Sequence, residues 1–211
     1  MTAIKKKNIA LIGIGEIGNC TVEYLQAQSL RNVLLASSDA SAPNNMQTVM
    51  DHLLSEHPEI VFVVGSLDES AEADKLASLA GMAKAEGILT IGFVTMEDVD
   101  SDKTKDTYLP LAAIKQHTDA TFVLAYDKLR TVNRKLETIT ARASEYIANA
   151  LRAIAEVVTL DAEVNVDVDD VRTVLEKADK AWWEQLLLKD RTGRWSRFSK
   201  LQTLRCSLTQ I

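Results

Sequence analysis

The sequence predicts an α/β domain on a mostly parallel, doubly wound sheet, with a long central helix, a helical C-terminal tail and no second subdomain. Three patterns carry that expectation: short β-branched apolar runs, amphipathic stretches between them, and one sustained helical periodicity beyond residue 126. The runs are NIALIG (8–13), NVLLAS (32–37), IVFVVG (60–65), ILTIGFVT (88–95) and ATFVLAY (120–126). Each is apolar at consecutive rather than alternate positions, as in a strand covered on both faces. Residues 16–29, 45–56, 68–86 and 106–117 lie between them with helical spacing. Such a βαβ series makes a parallel sheet with right-handed crossovers.

From Leu136 the apolar positions run Ile139, Ala143, Ile147, Ala150, Leu151, Ile154, Val157 and Val158, the stripe of one long helix. At 1.5 Å per residue such a helix reaches about 35 Å, enough to cross a sheet. An acidic connection, 161–167, leads to a second helix from Val168 carrying Val171, Val174, Leu175, Ala178 and Trp182, which Gly193 breaks. These elements make a domain over 1–188. The tail, 189–211, differs in charge, with six bases (Lys189, Arg191, Arg194, Arg197, Lys200, Arg205) against Asp190. Trp195, Phe198, Leu201 and Leu204 recur along it at roughly helical spacing. Three roles fit this pattern: a cover for the core, a contact for an acidic protein partner, or an anchor on an anionic membrane surface.

The 211 residues are 46% hydrophobic and 26% charged, which excludes a disordered chain, and they hold no apolar run long enough to span a membrane. A net charge of −6 argues against nucleic-acid binding by the chain as a whole. Cys20 and Cys206 with three scattered histidines make neither a disulfide framework nor a metal site. Lys5-Lys6-Lys7 before IALIGIG imitates a signal peptide but lacks a small-residue cleavage site, so the reducing cytoplasm is expected.

Gly13-Ile-Gly15-Glu-Ile-Gly18 follows the first strand and opens the first helix. Such a turn lets backbone approach a phosphate and aims helix N–H groups at it. With Asp39 closing the second strand, an NAD-type, Rossmann-like site fits locally. The plainer reading is a tight turn that uses glycine for steric reasons, with Glu16 answering the helix N-terminus without a ligand.

Four collinear segments resemble a known family. NIALIGIGEIGNCTVEYL (8–25) is similar to the opening strand, glycine loop and helix of FtsZ, the prokaryotic tubulin homologue. GILTIGFVT (87–95) is similar to its strand before the sugar-proximal loop, and HTDATFVLAYDKL (117–129) to its "H-V-D-…-N-D-K-L" segment. NVDVDDVRTVL (165–175) resembles its catalytic-loop signature, N-x-D-x-x-D-V-R-T-V. The resemblance implies a GTP or GDP site over the sheet edge, with Gly13, Gly15, Gly18, Asn19, Asp39, Ser70 and Ser144 as candidate pocket residues. Ser144 falls where the family holds guanine with an Asn. The resemblance also implies that Asn165, Asp167 and Asp170 match the loop that completes hydrolysis on the next subunit of a filament. These acids equally suit the cap and first turn of the helix they open.

The departures shape the functional expectation. Where the family has its second phosphate loop, G-G-G-T-G-T-G, this chain reads Ser66-Leu67-Asp68-Glu69-Ser70-Ala71-Glu72. Unit charges about 4 Å apart repel by about 4 kcal/mol at an effective dielectric of about 20, or about three decades of affinity. Ser66 or Asp68 would instead cap the helix 68–86, with Glu69 and Glu72 on its first turn. The expected protein is thus an FtsZ-like domain with a degenerate GTP site and no working catalytic set, an assembly or regulatory partner rather than a GTPase. Its expected contacts are itself or an FtsZ-like protein through 161–170, and an acidic protein or anionic membrane through 189–211. The alternative is a working nucleotide binder, weakly GTP-directed or NAD-type.

Overall fold

The structure is a computed structural model, and it describes residues 9–28, 30, 32–38, 46–96, 109–125, 139–159 and 168–177. All of these lie in one compact unit, Met1–Ala181. The elements run β1 (Ile9–Ile14), α1 (Gly15–Ala27), β2 (Val33–Ser38), α2 (Met46–Ser55), β3 (Ile60–Ser66), α3 (Ser70–Ala85), β4 (Leu89–Met96), α4 (Leu109–His117), β5 (Ala120–Ala125), α5 (Ile139–Thr159) and α6 (Val168–Lys177).

The five strands form one sheet in the order β2-β1-β3-β4-β5, and every pairing is parallel. Register runs straight across its centre: Leu11 faces Leu35 on one side and Phe62 on the other, and Phe62 faces Ile91. β1, β3 and β4 are buried at every position, as consecutive apolar runs require, whereas the edge strand β2 is only half-buried over most of its length.

Alternate strand residues face two helical layers. Ala10, Ile12, Val61 and Val63 join Met50 and Leu53 of α2, Leu76 and Leu79 of α3, and Leu111 and Ile114 of α4 in one core. On the other face Ile9, Leu11 and Phe62 meet Leu25 of α1 and Leu151 and Ala155 of α5. Alanines at 73, 77, 80 and 83 on the buried side of α3 let that helix lie close to the strands.

α1 approaches β1 more closely still. A Cβ on Gly18 would stand 2.7 Å from the Val64 carbonyl oxygen and 2.5 Å from the Gly13 carbonyl carbon. Gly13 and Gly18 are therefore where strand and helix backbones touch. Gly15 has φ +66, a left-handed conformation that glycine adopts without strain.

The described strands begin at or one residue after the predicted ones. α3 starts at Ser70 rather than residue 68, because Ser66 and Asp68 bond to each other instead of capping it: the Ser66 hydroxyl donates to Asp68 Oδ2 at 2.9 Å and accepts the Asp68 N–H at 3.2 Å. The predicted continuation of α6 toward Gly193 and the helical tail 189–211 lie outside the described residues. Among the described residues, no helix is long and apolar enough to cross a membrane.

Candidate functional site

In an open parallel sheet, ligands sit outside the C-terminal ends of the strands where strand order reverses. Here that point lies between β1 and β3, because β2 flanks β1 on one side and β3 through β5 extend on the other. The crevice is walled by Gly15 at the start of α1 and by Gly65, Ser66 and the turn that leads into α3.

A carboxylate of the chain itself fills it. Glu72, on the first turn of α3, points inward and is 6% exposed. Its Oε1 accepts the Ser66 backbone N–H at 2.6 Å. A Cβ on Gly65 would stand 2.8 Å from that oxygen, and one on Gly15 would collide with both carboxylate oxygens. Only glycine at these two positions leaves room for the group. Neither α1 nor α3 has a side-chain cap: Ile14 and Glu69 occupy the N-cap positions and make no capping bond.

Burial pushes the Glu72 carboxyl up to about 7 from its ordinary 4.5. The Ser66 N–H works in the opposite direction, and Glu69, Asp68 and Glu16 add to the rise by their negative charge. The exposed acids Asp68 and Glu69 stand at the mouth, while Leu67 between Ser66 and Asp68 is buried, with its N–H on the Thr95 carbonyl at 2.9 Å.

The residues expected in a nucleotide pocket are thus divided. Gly15 borders the crevice, and Gly13 and Gly18 serve the α1–β1 contact. Asn19 lies one turn into α1, and its Oδ1 is buried with no hydrogen-bond partner among the described residues. Ser70 is exposed at the first position of α3. Ser144 is a helix-packing residue: it is 2% exposed, and its hydroxyl donates to the Ile17 carbonyl at 3.2 Å, tying α5 to α1. Asp39, Asn165 and Asp167 lie outside the described residues.

Asp170 is exposed on the first turn of α6, at the opposite end of the sheet. There Arg172 Nη2 donates to the Gly87 carbonyl at 3.2 Å, and Pro58, Glu59, Glu86, Val168 and Asp169 help line an open cleft of about 390 Å³. Within one chain, therefore, the crevice and Asp170 lie at opposite ends of the strands. Among the described residues no group of side chains is arranged to hold a metal ion.

Sequence reasoning placed Glu72 on the first turn of α3 but missed its inward aim. The signal was present: Glu72, Leu76, Leu79 and Ala83 follow one another at helical spacing along the buried stripe. Reading the acids as a group, by their proximity to a helix start, hid the one that lies on that stripe.

No family model matches the chain. Cell division protein FtsZ 1 of Methanocaldococcus jannaschii is 23% identical over 83% of this chain and 58% of its own length. Among solved structures, the W319Y mutant of FtsZ from M. jannaschii superposes with a TM-score of 0.69 and 22% identity, covering 82% of this chain and 64% of that one. CetZ2 from Haloferax volcanii, as a GTPγS-bound protofilament, has a TM-score of 0.61 and 15% identity over 81% of this chain and 63% of its own. The chain spans about three fifths of the length of these relatives.

Proposed function

We propose that this chain, FtsZ-like in sequence and built on the FtsZ/tubulin-superfamily fold, is a pseudo-GTPase: an assembly or regulatory partner whose nucleotide crevice is filled from within. The observation that carries this reading is the Glu72 carboxylate seated between Gly15 and Gly65 on the Ser66 amide. The residues present do not fit a phosphate chain. A phosphate would share its seat with a buried carboxyl and meet Asp68, Glu69 and Glu16 at the entrance. Like charges at the entrance disfavour an approaching anion.

The chain works by contact in this reading. Its self- or FtsZ-like contact runs through 161–170 and the adjoining end of α6, where Asp169 and Asp170 are exposed. The basic tail, 189–211, supplies a second contact, for an acidic protein or an anionic membrane surface. The compartment is the cytoplasm, in keeping with a chain of two cysteines. A second reading, weak GTP-type or NAD-type binding, is favoured by one feature, the buried Asn19 Oδ1, which has no hydrogen-bond partner among the described residues.

Denaturing freshly purified chain and identifying any released nucleotide by absorbance and mass separates the two. The proposal expects no stoichiometric nucleotide, and a sedimentation profile unchanged by added GTP. Release of one guanine or nicotinamide nucleotide per chain contradicts it.

A further inference from the structure

We infer that Glu72 is a proton-operated bolt on the crevice between β1 and β3: protonated, its side chain stays seated between Gly15 and Gly65 and keeps the crevice shut; ionised, it swings out and opens the crevice to solvent. The inference rests on the proposed self-filled crevice and deepens it, by naming what regulates the filling. The geometry makes the two protonation states unequal. Glu72 is 6% exposed, and among the described residues one hydrogen bond holds it, from the Ser66 N–H to Oε1 at 2.6 Å. An ionised carboxylate accepts at both oxygens and needs further donors, or a cation, to offset its lost water. Gly15 and Gly65 give it room but no side-chain donor.

The charges around it have its own sign. Glu16 faces it from α1, and Asp68 and Glu69 from the turn before α3; burial raises its carboxyl most, and all three acids add to the rise. The neighbouring residues of β1, β3 and β4, Ile14, Gly65, Ser66 and Thr95, carry no charge. On α3 itself exposed Asp74 and half-buried Lys75 follow it, and the opposing influence is the Ser66 N–H rather than Lys75. With the carboxyl at about 7 instead of 4.5, the anion is disfavoured in the seat by about 300-fold. The side chain also has somewhere to go. Glu72 lies on the first turn of α3, next to exposed Asp68 and Glu69, so leaving takes rotation about side-chain bonds and no change of backbone. The opened crevice is no anion site, because the Glu72 carboxylate then joins three acids at its mouth.

The test is an NMR titration of the full chain from pH 5.5 to 8.5, as wild type and as Glu72→Gln. It follows the Glu72 carboxyl carbon, the Ser66 amide proton and the exchange of that proton with solvent. In wild type the carbon and the proton are expected to titrate together near pH 7, the proton moving upfield as its bond is lost. Ser66 protection, corrected for intrinsic exchange, is expected to fall at least about 10-fold between pH 6 and pH 8. E72Q has no proton to lose there and is expected to keep Ser66 bonded and protected throughout. A carboxyl already ionised at pH 5.5, or one that titrates while the Ser66 proton holds its place or moves downfield, overturns the bolt, because the anion then stays seated; the self-filled crevice survives that result. The same Ser66 transition in E72Q also overturns the bolt, since another group then drives it. Should E72Q fail to fold, the wild-type carbon and proton decide between the outcomes by themselves. A Ser66 amide unprotected at every pH in wild type overturns the self-filled crevice itself.

Discussion

Glu72→Gln is expected to leave stability unchanged near pH 4.5 and to raise it progressively up to pH 8. The sign follows from linkage. The Glu72 carboxyl is raised to about 7 in the folded chain from 4.5. Between those values the native state holds more proton than the unfolded state, so this group's contribution falls as pH rises and levels off above about 7. The residue is 6% exposed, so solvent screens it little. A difference of about 2.5 units corresponds to about 3 kcal/mol at 1.36 kcal/mol per unit. Glutamine removes the charge while its amide oxygen still accepts the Ser66 N–H. Urea unfolding of both chains from pH 4.5 to 8 measures the difference directly, and other carboxylates cancel in the comparison. A pH-independent difference, or an E72Q chain less stable than wild type at pH 8, contradicts the geometry assigned to Glu72.

Phe62→Ala is expected to destabilise the chain by about 3–5 kcal/mol, in the range for a large side chain removed from a packed core. Phe62 is 1% exposed at the middle of β3, with neighbours on both sides in the sheet. Its ring meets Phe93 at 6.0 Å and 58°, and Phe93 stacks on Phe122 at 4.7 Å and 21°, so three adjacent strands share one aromatic row. The same ring lies under Leu25 of α1 and Leu151 of α5. Truncation therefore loosens the contact of both helices with the sheet as well as the row. Phe93→Ala, at 3% exposure, has the same sign. Chemical denaturation checks both; a loss below about 1 kcal/mol for Phe62→Ala would place the core elsewhere.

The sheet was legible because burial on two faces writes itself as consecutive apolar residues: IALIGI and IVFVVGS are buried throughout. β2 was legible in position but not in burial, since an edge strand with the same composition is half-covered. At the glycine turn the spacing left a phosphate loop and a steric turn both open; Gly13 and Gly18 contact each other across the strand–helix corner. Capping was misread. Ser66 and Asp68 have good capping side chains, but a pair two residues apart satisfies itself locally and leaves the helix to begin later. Ser144 was placed by counting along α5, which gives its position but not its packing; its hydroxyl bonds the Ile17 carbonyl of α1.

On the proposed reading, the Glu72 carboxyl fills the crevice between β1 and β3 and leaves no seat for a nucleotide's phosphates. Calorimetric titration of GTP into the intact wild-type chain at neutral pH tests it most directly. Binding weaker than about 1 mM, less than about 4 kcal/mol of affinity, is the expected result. Saturable binding at one site per chain in the micromolar range contradicts it.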